Sequence, residues 1–320
     1  ALAYPLFLVS LALLCLVLVP GIGRDVNGNR NWIDLGGTLQ LQPSEGAKLA
    51  VVLWGADLLA RKRKLLTQWR HLLVPLVPGV GAVVALVLAG GDLGTAVVLL
   101  AILMALLFFV GAPLRLFAAL TVLLAFLVVF MVQLEPYRVR RVTSFLDPFA
   151  AYHGSGWQGA QSIFALASGG LSGLGLGASR EKWGYLPEAH TDFIFAIIGE
   201  ELGLFGTLVV LSLFGALGYA GLRIARRSRD PFVTLAASAT TAWLLVQAMV
   251  NVGAVLGVLP ITGIPLPLVS YGGSALLPTM VALGMLLSFA KREPGARAAL
   301  AARGPGLVRR VFSRLSFGGR

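Results

Sequence analysis

The sequence predicts an all-α, polytopic integral membrane helix bundle with a large extracytoplasmic loop. Two observations carry this. Charged residues make up 12% of the chain and apolar residues 57%, against about 25% charged in ordinary soluble domains, too little charge to cover a soluble surface of this size. The apolar residues also fall into runs of spanning length, since a hydrocarbon core of roughly 30 Å takes about 20 of them per helix.

Taken in order, the first run, "ALAYPLFLVSLALLCLVLVP", has no basic n-region and no small-residue cleavage site, so residues 3–20 read as a span and not as a signal peptide. The chain starts without Met, so the numbering is expected to begin inside a longer gene product. Further spans follow at 44–60, 72–90, 93–111, 114–134, 191–222, 232–258 and 274–290. Residues 1–290 then form one membrane domain. The basic tail 291–320, punctuated by Gly and Pro, is expected to lie disordered along the inner headgroups.

Lys and Arg set the orientation. "RKRKLLTQWRH", Arg115, "RIARRSRD" and the tail hold eighteen of the twenty-six, whereas 21–43, 91–92, 135–190 and 259–273 hold seven. The first set is cytoplasmic, and an even number of spans returns both chain ends to that side. The loop 135–190 and the turn 259–273 are outside. The net charge of +12 therefore reads as orientation and contact with anionic lipid, not as nucleic-acid binding. A lone Cys15 excludes disulfides and thiolate pairs within the chain, and three histidines make a His-built metal site a poor expectation.

The outer segments carry the chemistry. Residues 21–45 contain Asn-Gly and Gly-Gly turn signals, and Ser44 is the expected N-cap of the second span. Glu45 and Lys48 share one helix face at i, i+3. Either Lys48 snorkels to the headgroups beside Glu45, or the pair faces the bundle interior, where ionisable groups tend to mark function. In "EPYRVRRVTSFLDPF", Arg138, Arg140 and Arg141 run against the positive-inside bias. They either pair with Glu135 or Asp147, or bind a phosphate or pyrophosphate through the planar guanidinium fork. Trp157–Ala167 is expected to form a short interfacial helix. The five glycines of 169–177 read as a close backbone approach, a phosphate cradle or simple loop flexibility.

The stretch "WGYLPEAHTDFIFAIIGEELG" sets Glu188, His190, Thr191 and Asp192 at the outer mouth of a span. A carboxylate there meets both water and lipid headgroups, so Asp192 is a candidate general base for a headgroup substrate. The bland alternative is that Asp192 and Glu188 merely favour the positive end of the helix. Glu200 and Glu201 fall roughly 12–14 Å deeper by the helical rise, where a carboxylate needs a partner, and a structural tie is favoured over catalysis. Gly199 and Gly203 form a small-xxx-small pair for close helix approach. In "GVLPITGIPLPLVSYGGSALLP", Pro260, Pro265 and Pro267 forbid regular helix, so this backbone must be buried in protein or line a cavity. Ser270, Tyr271 and Ser274 bring hydroxyls to that wall.

Together and in this order, "VNGNRNWI", "QPSEGAK", "GDLGT", "EPYRVRRVTSFLDPF", "YLPEAHTDFIFAIIGEELG" and "PLPLVSYGGSALL" resemble the SEDS family of bacterial cell-wall proteins, over about residues 1–290. "PEAH" and "EPYRVRR" look more like its division branch, FtsW, than its elongation branch, RodA. Members have ten spans, so the resemblance implies that the first two are missing here. "GGDLGT" departs from the commoner Gln-Pro before Asp92, and Trp157 stands where a tyrosine is usual.

The resemblance implies a peptidoglycan glycosyltransferase in the cytoplasmic membrane that joins lipid II units on the outer face during cell division. Its essential aspartate matches Asp192, the implied general base. Arg138, Arg141 and Lys48 are candidates for holding the pyrophosphate, with Glu45, Glu188, His190, Thr191, Ser270 and Tyr271 as further substrate-binding candidates. A divalent cation, Mg or Mn, is an expected helper for which the sequence offers no ligand set. The implied partners are a class B penicillin-binding protein (a transpeptidase), other divisome membrane proteins, lipid II and membrane lipids. Two alternatives remain open: a lipid II flippase, and a non-catalytic scaffold of the division machinery.

Overall fold

The structure, a computed structural model, describes residues 2–26, 29–34, 36, 40–63, 69–134, 145, 147–150, 152–293 and 295–296. Among the described residues all eight expected spans are helices. They are α1 (Ala3–Leu18), α2 (Pro43–Arg61), α3 (Trp69–Ala89), α4 (Leu93–Val110), α5 (Leu114–Leu134), α7 (Ile194–Arg227), α8 (Pro231–Val255) and α9 (Gly273–Ala290). The short helix expected at 157–167 is α6 (Trp157–Gly169). By length and composition α4, α7, α8 and α9 can cross a membrane, while α1 is apolar but shorter. Glu45, Lys48, Asp57 and Arg61 all lie on α2.

The centre of the bundle is α2 and α8. Both are buried along most of their length, and they pack with α4 around Leu99, Ile102, Leu106, Trp243 and Leu244. Phe7 of α1 stacks on Trp54 of α2 with ring centroids 4.1 Å apart, and Gly79 of α3 leaves room for that indole. A second, smaller core joins α6, the segment before α7, and the end of α8 through Ala165, Leu186, Phe193, Phe195, Val252 and Leu266.

The sequence reads residues 21–42 as turns, and the structure adds a small antiparallel sheet there. Its strands β1 (Gly23–Val26), β2 (Asn29–Asp34) and β3 (Gln40–Leu41) pair in the order β1-β2-β3. The sheet caps one end of the bundle: Arg30 N donates to Gly90 O in the α3–α4 turn at 2.9 Å, and Ser274 Oγ donates to Gln40 O at 2.7 Å. At the opposite end, Arg223 and Arg227 lie 3.7 and 3.9 Å from Glu293.

Ser44 is not a cap. The N-cap of α2 is Gln42, and Pro43 opens the helix, where its missing N–H costs nothing. Ser44 instead points its hydroxyl at Asp92 Oδ2, 3.5 Å away, and Gln42 Nε2 donates to the same oxygen at 3.2 Å. Asp92 is the true cap, taking Thr95 N at 2.8 Å to start α4.

The helix read as continuous from 191 is broken at Gly203, whose φ of 66° and ψ of −161° are non-helical. The break frees carbonyls above and N–H groups below it, and the glycine-rich segment supplies their partners. Leu174 N and Gly175 N donate to Glu200 O and Glu201 O, both at 3.0 Å, while Leu204 N and Phe205 N donate to Gly170 O and Leu171 O at 3.0 and 3.4 Å. Close approach explains two of the glycines, since a Cβ on Gly173 would overlap the Glu201 carbonyl and one on Gly169 would overlap that of Gly199, while Gly170, Gly175 and Gly177 have open space and positive φ.

Candidate functional site

The site is organised by two amides on α8. Gln247 and Asn251 are four residues apart and so lie one above the other on one helix face. In a buried helix such groups must be satisfied by hydrogen bonds. Gln247 Nε2 donates to Pro265 O at 2.9 Å, and Asn251 Nδ2 donates to Ile264 O at 2.7 Å. The proline-rich turn is therefore non-helical as expected, and its orphan carbonyls are met by side chains from α8. Ser270 Oγ extends the stitching: it donates to Thr191 O at 2.6 Å and accepts from Leu266 N at 2.7 Å.

Each amide also holds one candidate residue. Gln247 Oε1 accepts from Lys48 Nζ at 2.8 Å and from Trp243 Nε1 at 2.8 Å. Lys48 is fully buried, bonded to Glu45 Oε1 at 2.7 Å, with its ammonium 5.4 Å from the Trp243 ring. The pair thus faces the interior and does not snorkel. Its charge is neutralised inside the protein, which argues against Lys48 as a pyrophosphate ligand and for Lys48 and Glu45 as supports of the turn.

One helical turn along, Asn251 Nδ2 donates to Asp192 O at 2.7 Å. Asp192 is half-buried in the turn just before the N-cap of α7, Phe193, where the helix end favours negative charge. It lines a cleft with Phe193, Asn251, Val255, Thr262 and Gly263. Gly263 has φ +70°, and a Cβ built on it would sit 3.6 Å from Asp192 Oδ2. The bare glycine keeps the approach to the carboxylate open. A carboxylate held by its backbone at the wall of a cleft can accept a proton from a hydroxyl brought within hydrogen-bond reach.

The other candidates sit around this cleft. Glu188, in the left-handed region at φ 56°, accepts from Thr191 Oγ1 at 2.7 Å, so the Thr191 hydroxyl is committed locally. His190 and Tyr271 are exposed with ring centroids 5.9 Å apart, and Tyr271 N donates to His190 O at 3.0 Å. Ser270, expected as a substrate ligand, is buried and fully used in holding the turn. Arg138, Arg140 and Arg141 lie outside the described residues. Among the described residues no three His, Cys, Asp or Glu side chains cluster as a metal set.

Glu200 and Glu201 are ties, as favoured, and lie just before the break in α7. Glu200 is buried and accepts from Ser179 Oγ at 2.5 Å, Arg180 N at 3.0 Å and Glu181 N at 3.4 Å. Glu201 accepts from Lys182 Nζ at 2.7 Å and Ser179 N at 3.4 Å. Both pin the loop against the broken end of α7. Beside them Glu181, which opens a single 3₁₀ turn (Glu181–Trp183), has its carboxyl pushed above the usual range, first by burial and then by the Glu200 carboxylate. Its Oε2 is buried without a hydrogen-bond donor among the described residues.

The sequence reading missed Gln247 and Asn251. The available signal was two amides at helical spacing inside "WLLVQAMVNVGAV", an otherwise apolar span.

A family model described as "Cell cycle protein" (FtsW, RodA and SpoVE) matches residues 1–294. The protein of Mycobacterium tuberculosis called probable peptidoglycan glycosyltransferase FtsW is 46% identical over 304 residues, 94% of this chain and 57% of its own length. Stage V sporulation protein E of Bacillus subtilis is 41% identical over 286 residues, 89% of this chain and 78% of its own. Two solved structures share the fold. One is from a work titled "Structural coordination of polymerization and crosslinking by a peptidoglycan synthase complex", with TM-score 0.72, 34% identity, and 91% and 81% of the two chains covered. The other is the rod shape determining protein RodA of Thermus thermophilus, with TM-score 0.65, 34% identity, and 91% and 78% covered. The chain spans a little over half the length of the mycobacterial relative. Its apolar helices and these neighbours make it a multi-pass membrane protein.

Proposed function

Because the chain belongs to the FtsW, RodA and SpoVE family of cell cycle proteins, we propose that it is a peptidoglycan glycosyltransferase of cell division, using lipid II on the outer face of the cytoplasmic membrane. The observation that carries this reading is the Asp192 cleft: a carboxylate whose backbone is anchored by Asn251, facing a glycine that leaves its oxygen approachable, at the end of the bundle where the polar loops gather.

In the proposed reaction Asp192 takes the proton from the 4-hydroxyl of an acceptor GlcNAc. The oxygen forms a bond to the anomeric carbon of the donor MurNAc, the carbon's bond to the phosphate oxygen breaks, and undecaprenyl pyrophosphate leaves with inversion. Positioned proton transfer of this kind contributes about 10²- to 10⁴-fold. Lys48, Glu45 and Gln247 hold the Pro265 turn in register, which leaves the leaving pyrophosphate to Arg138 and Arg141, whose bidentate guanidinium groups suit it. The expected partner is a class B penicillin-binding protein, in keeping with the synthase complex among the neighbours.

The test is polymerisation of labelled lipid II by the full-length protein with its cognate transpeptidase. Glycan strands from wild type and none from a folded, partner-bound Asp192→Asn variant support the reading. No strands from either, despite intact complexes, would favour a flippase or a scaffold.

A further inference from the structure

Asn251 has more capacity than its structural duties use. Its two amide hydrogens are both committed, one to Asp192 O and one to Ile264 O, each at 2.7 Å. That fixes the orientation of the amide, since reversing it would set its oxygen against two carbonyl oxygens. The oxygen, Oδ1, is buried and meets no donor among the described residues, although Asn251 is 2% exposed and lines the same cleft as Asp192. A buried acceptor left without a donor is costly, and such an exception calls for an explanation. Glu45 Oε2 also meets no donor among the described residues, but its neighbour Lys48 already meets the same carboxylate.

We propose that Asn251 is a substrate-contacting residue, whose Oδ1 accepts a hydrogen bond from a second hydroxyl of the acceptor sugar while Asp192 receives the proton of the attacking one. This rests on the glycosyltransferase reading above. The cleft then offers two acceptors to one sugar ring, the Asp192 carboxylate and the Asn251 carbonyl, joined by a 2.7 Å bond between the same two residues. A group that presents hydroxyls side by side satisfies both. In this structure Oδ1 is covered, so contact with the sugar requires the cleft to widen. The site selects for the ring's orientation, because only one face brings both hydroxyls to their acceptors.

The experiment follows the transfer of a labelled donor to an acceptor by the full-length protein with its transpeptidase, scored as the first coupling of the labelled unit. The donor is a lipid II that lacks its own 4-hydroxyl and so cannot accept. The acceptors are native lipid II and analogues whose GlcNAc lacks the 3-hydroxyl or the 6-hydroxyl. Wild type is expected to lose about tenfold in rate at limiting acceptor with one of the two analogues, the size of one lost hydrogen bond in a buried site. That loss should shrink to less than about twofold in Asn251→Ala. The milder Asn251→Ser, which keeps a donor for the neighbouring carbonyls, should behave the same way and serves if the alanine variant does not fold. Equal rates of wild type with all three acceptors would overturn the proposal, as would a tenfold loss that persists in either variant. Coupling by wild type that is abolished in Asp192→Asn keeps the underlying reading intact in both of those cases. Absence of coupling by wild type would instead remove that reading, and the proposal with it.

Discussion

Lys48→Met strips the buried Glu45 of the ammonium bonded to Oε1, and Oε2 has no hydrogen-bond donor among the described residues to begin with. The reverse change, Glu45→Leu, leaves a fully buried ammonium with, among the described residues, only Gln247 Oε1 at 2.8 Å and the Trp243 ring at 5.4 Å. Breaking a buried ion pair from one side costs about 3–5 kcal/mol, whereas replacing both partners by apolar groups is often neutral or stabilising. At about 2–4 °C per kcal/mol, each single variant should lower the thermal midpoint by roughly 10 °C. The double variant Glu45→Leu with Lys48→Met should return to within about 3 °C of wild type. The assay is thermal unfolding of the full-length protein in detergent, with lipid II coupling measured on the same samples. The stable double variant should keep activity within about tenfold, because the pair supports the Pro265 turn and does not touch substrate. Single variants with unchanged midpoints would refute the buried pair. A stable double variant without coupling activity would restore Lys48 as a ligand of the pyrophosphate.

Other consequences follow from the loop and the cleft. Gly173→Ala should destabilise by more than about 2 kcal/mol, since its φ of +78° is unfavourable and the Cβ would overlap the Glu201 carbonyl; Gly175→Ala, at φ +108° with open space around it, should cost less. Comparing the two thermal midpoints checks this. Gly263→Ala should reduce coupling more than tenfold, beyond the modest stability loss expected at φ +70°, because the methyl group would stand against Asp192 Oδ2 at about 3.6 Å; a rate per folded protein within twofold of wild type would show that the approach lies elsewhere. The Glu181 carboxyl is raised by burial and by Glu200, with Glu201 and its Lys182 partner nearby. The folded state therefore binds this proton more tightly than the unfolded state, and stability falls as pH rises from the ordinary carboxylate range through the raised value. Glu181→Gln should raise the midpoint by about 2 °C at pH 7.5 and leave it nearly unchanged at pH 4, as a pair of melting curves would show.

The helices were legible because spanning length and apolar content suffice to mark them, even for α2 with its four charged residues. The sheet at residues 23–41 was not, because its strands of two to six residues are punctuated by the same glycines and asparagines that mark turns. The break in α7 was half legible. Gly199 and Gly203 pointed to close approach and the glycines of 169–177 to a backbone contact, but nothing local says that the two segments meet. Glu200 and Glu201 come just before the break, so the partners that tie them, in the loop at 177–182, could not be foreseen from helical rise. Asp192 stood out as a carboxylate where water stops. Asn251 and Gln247 did not, since an amide in an apolar span gains meaning only when the loop it holds is seen. The role of Lys48 turned on burial, which spacing with Glu45 cannot give.

The central claim is that Asp192 acts in the chemical step and not in binding. The most direct measurement is single-turnover coupling of lipid II by wild type and Asp192→Asn, with lipid II affinity determined on the same preparations. The account predicts affinity within about threefold and a coupling rate lowered by 10² or more. A variant that couples at the wild-type rate, or one whose loss lies wholly in affinity, would contradict it.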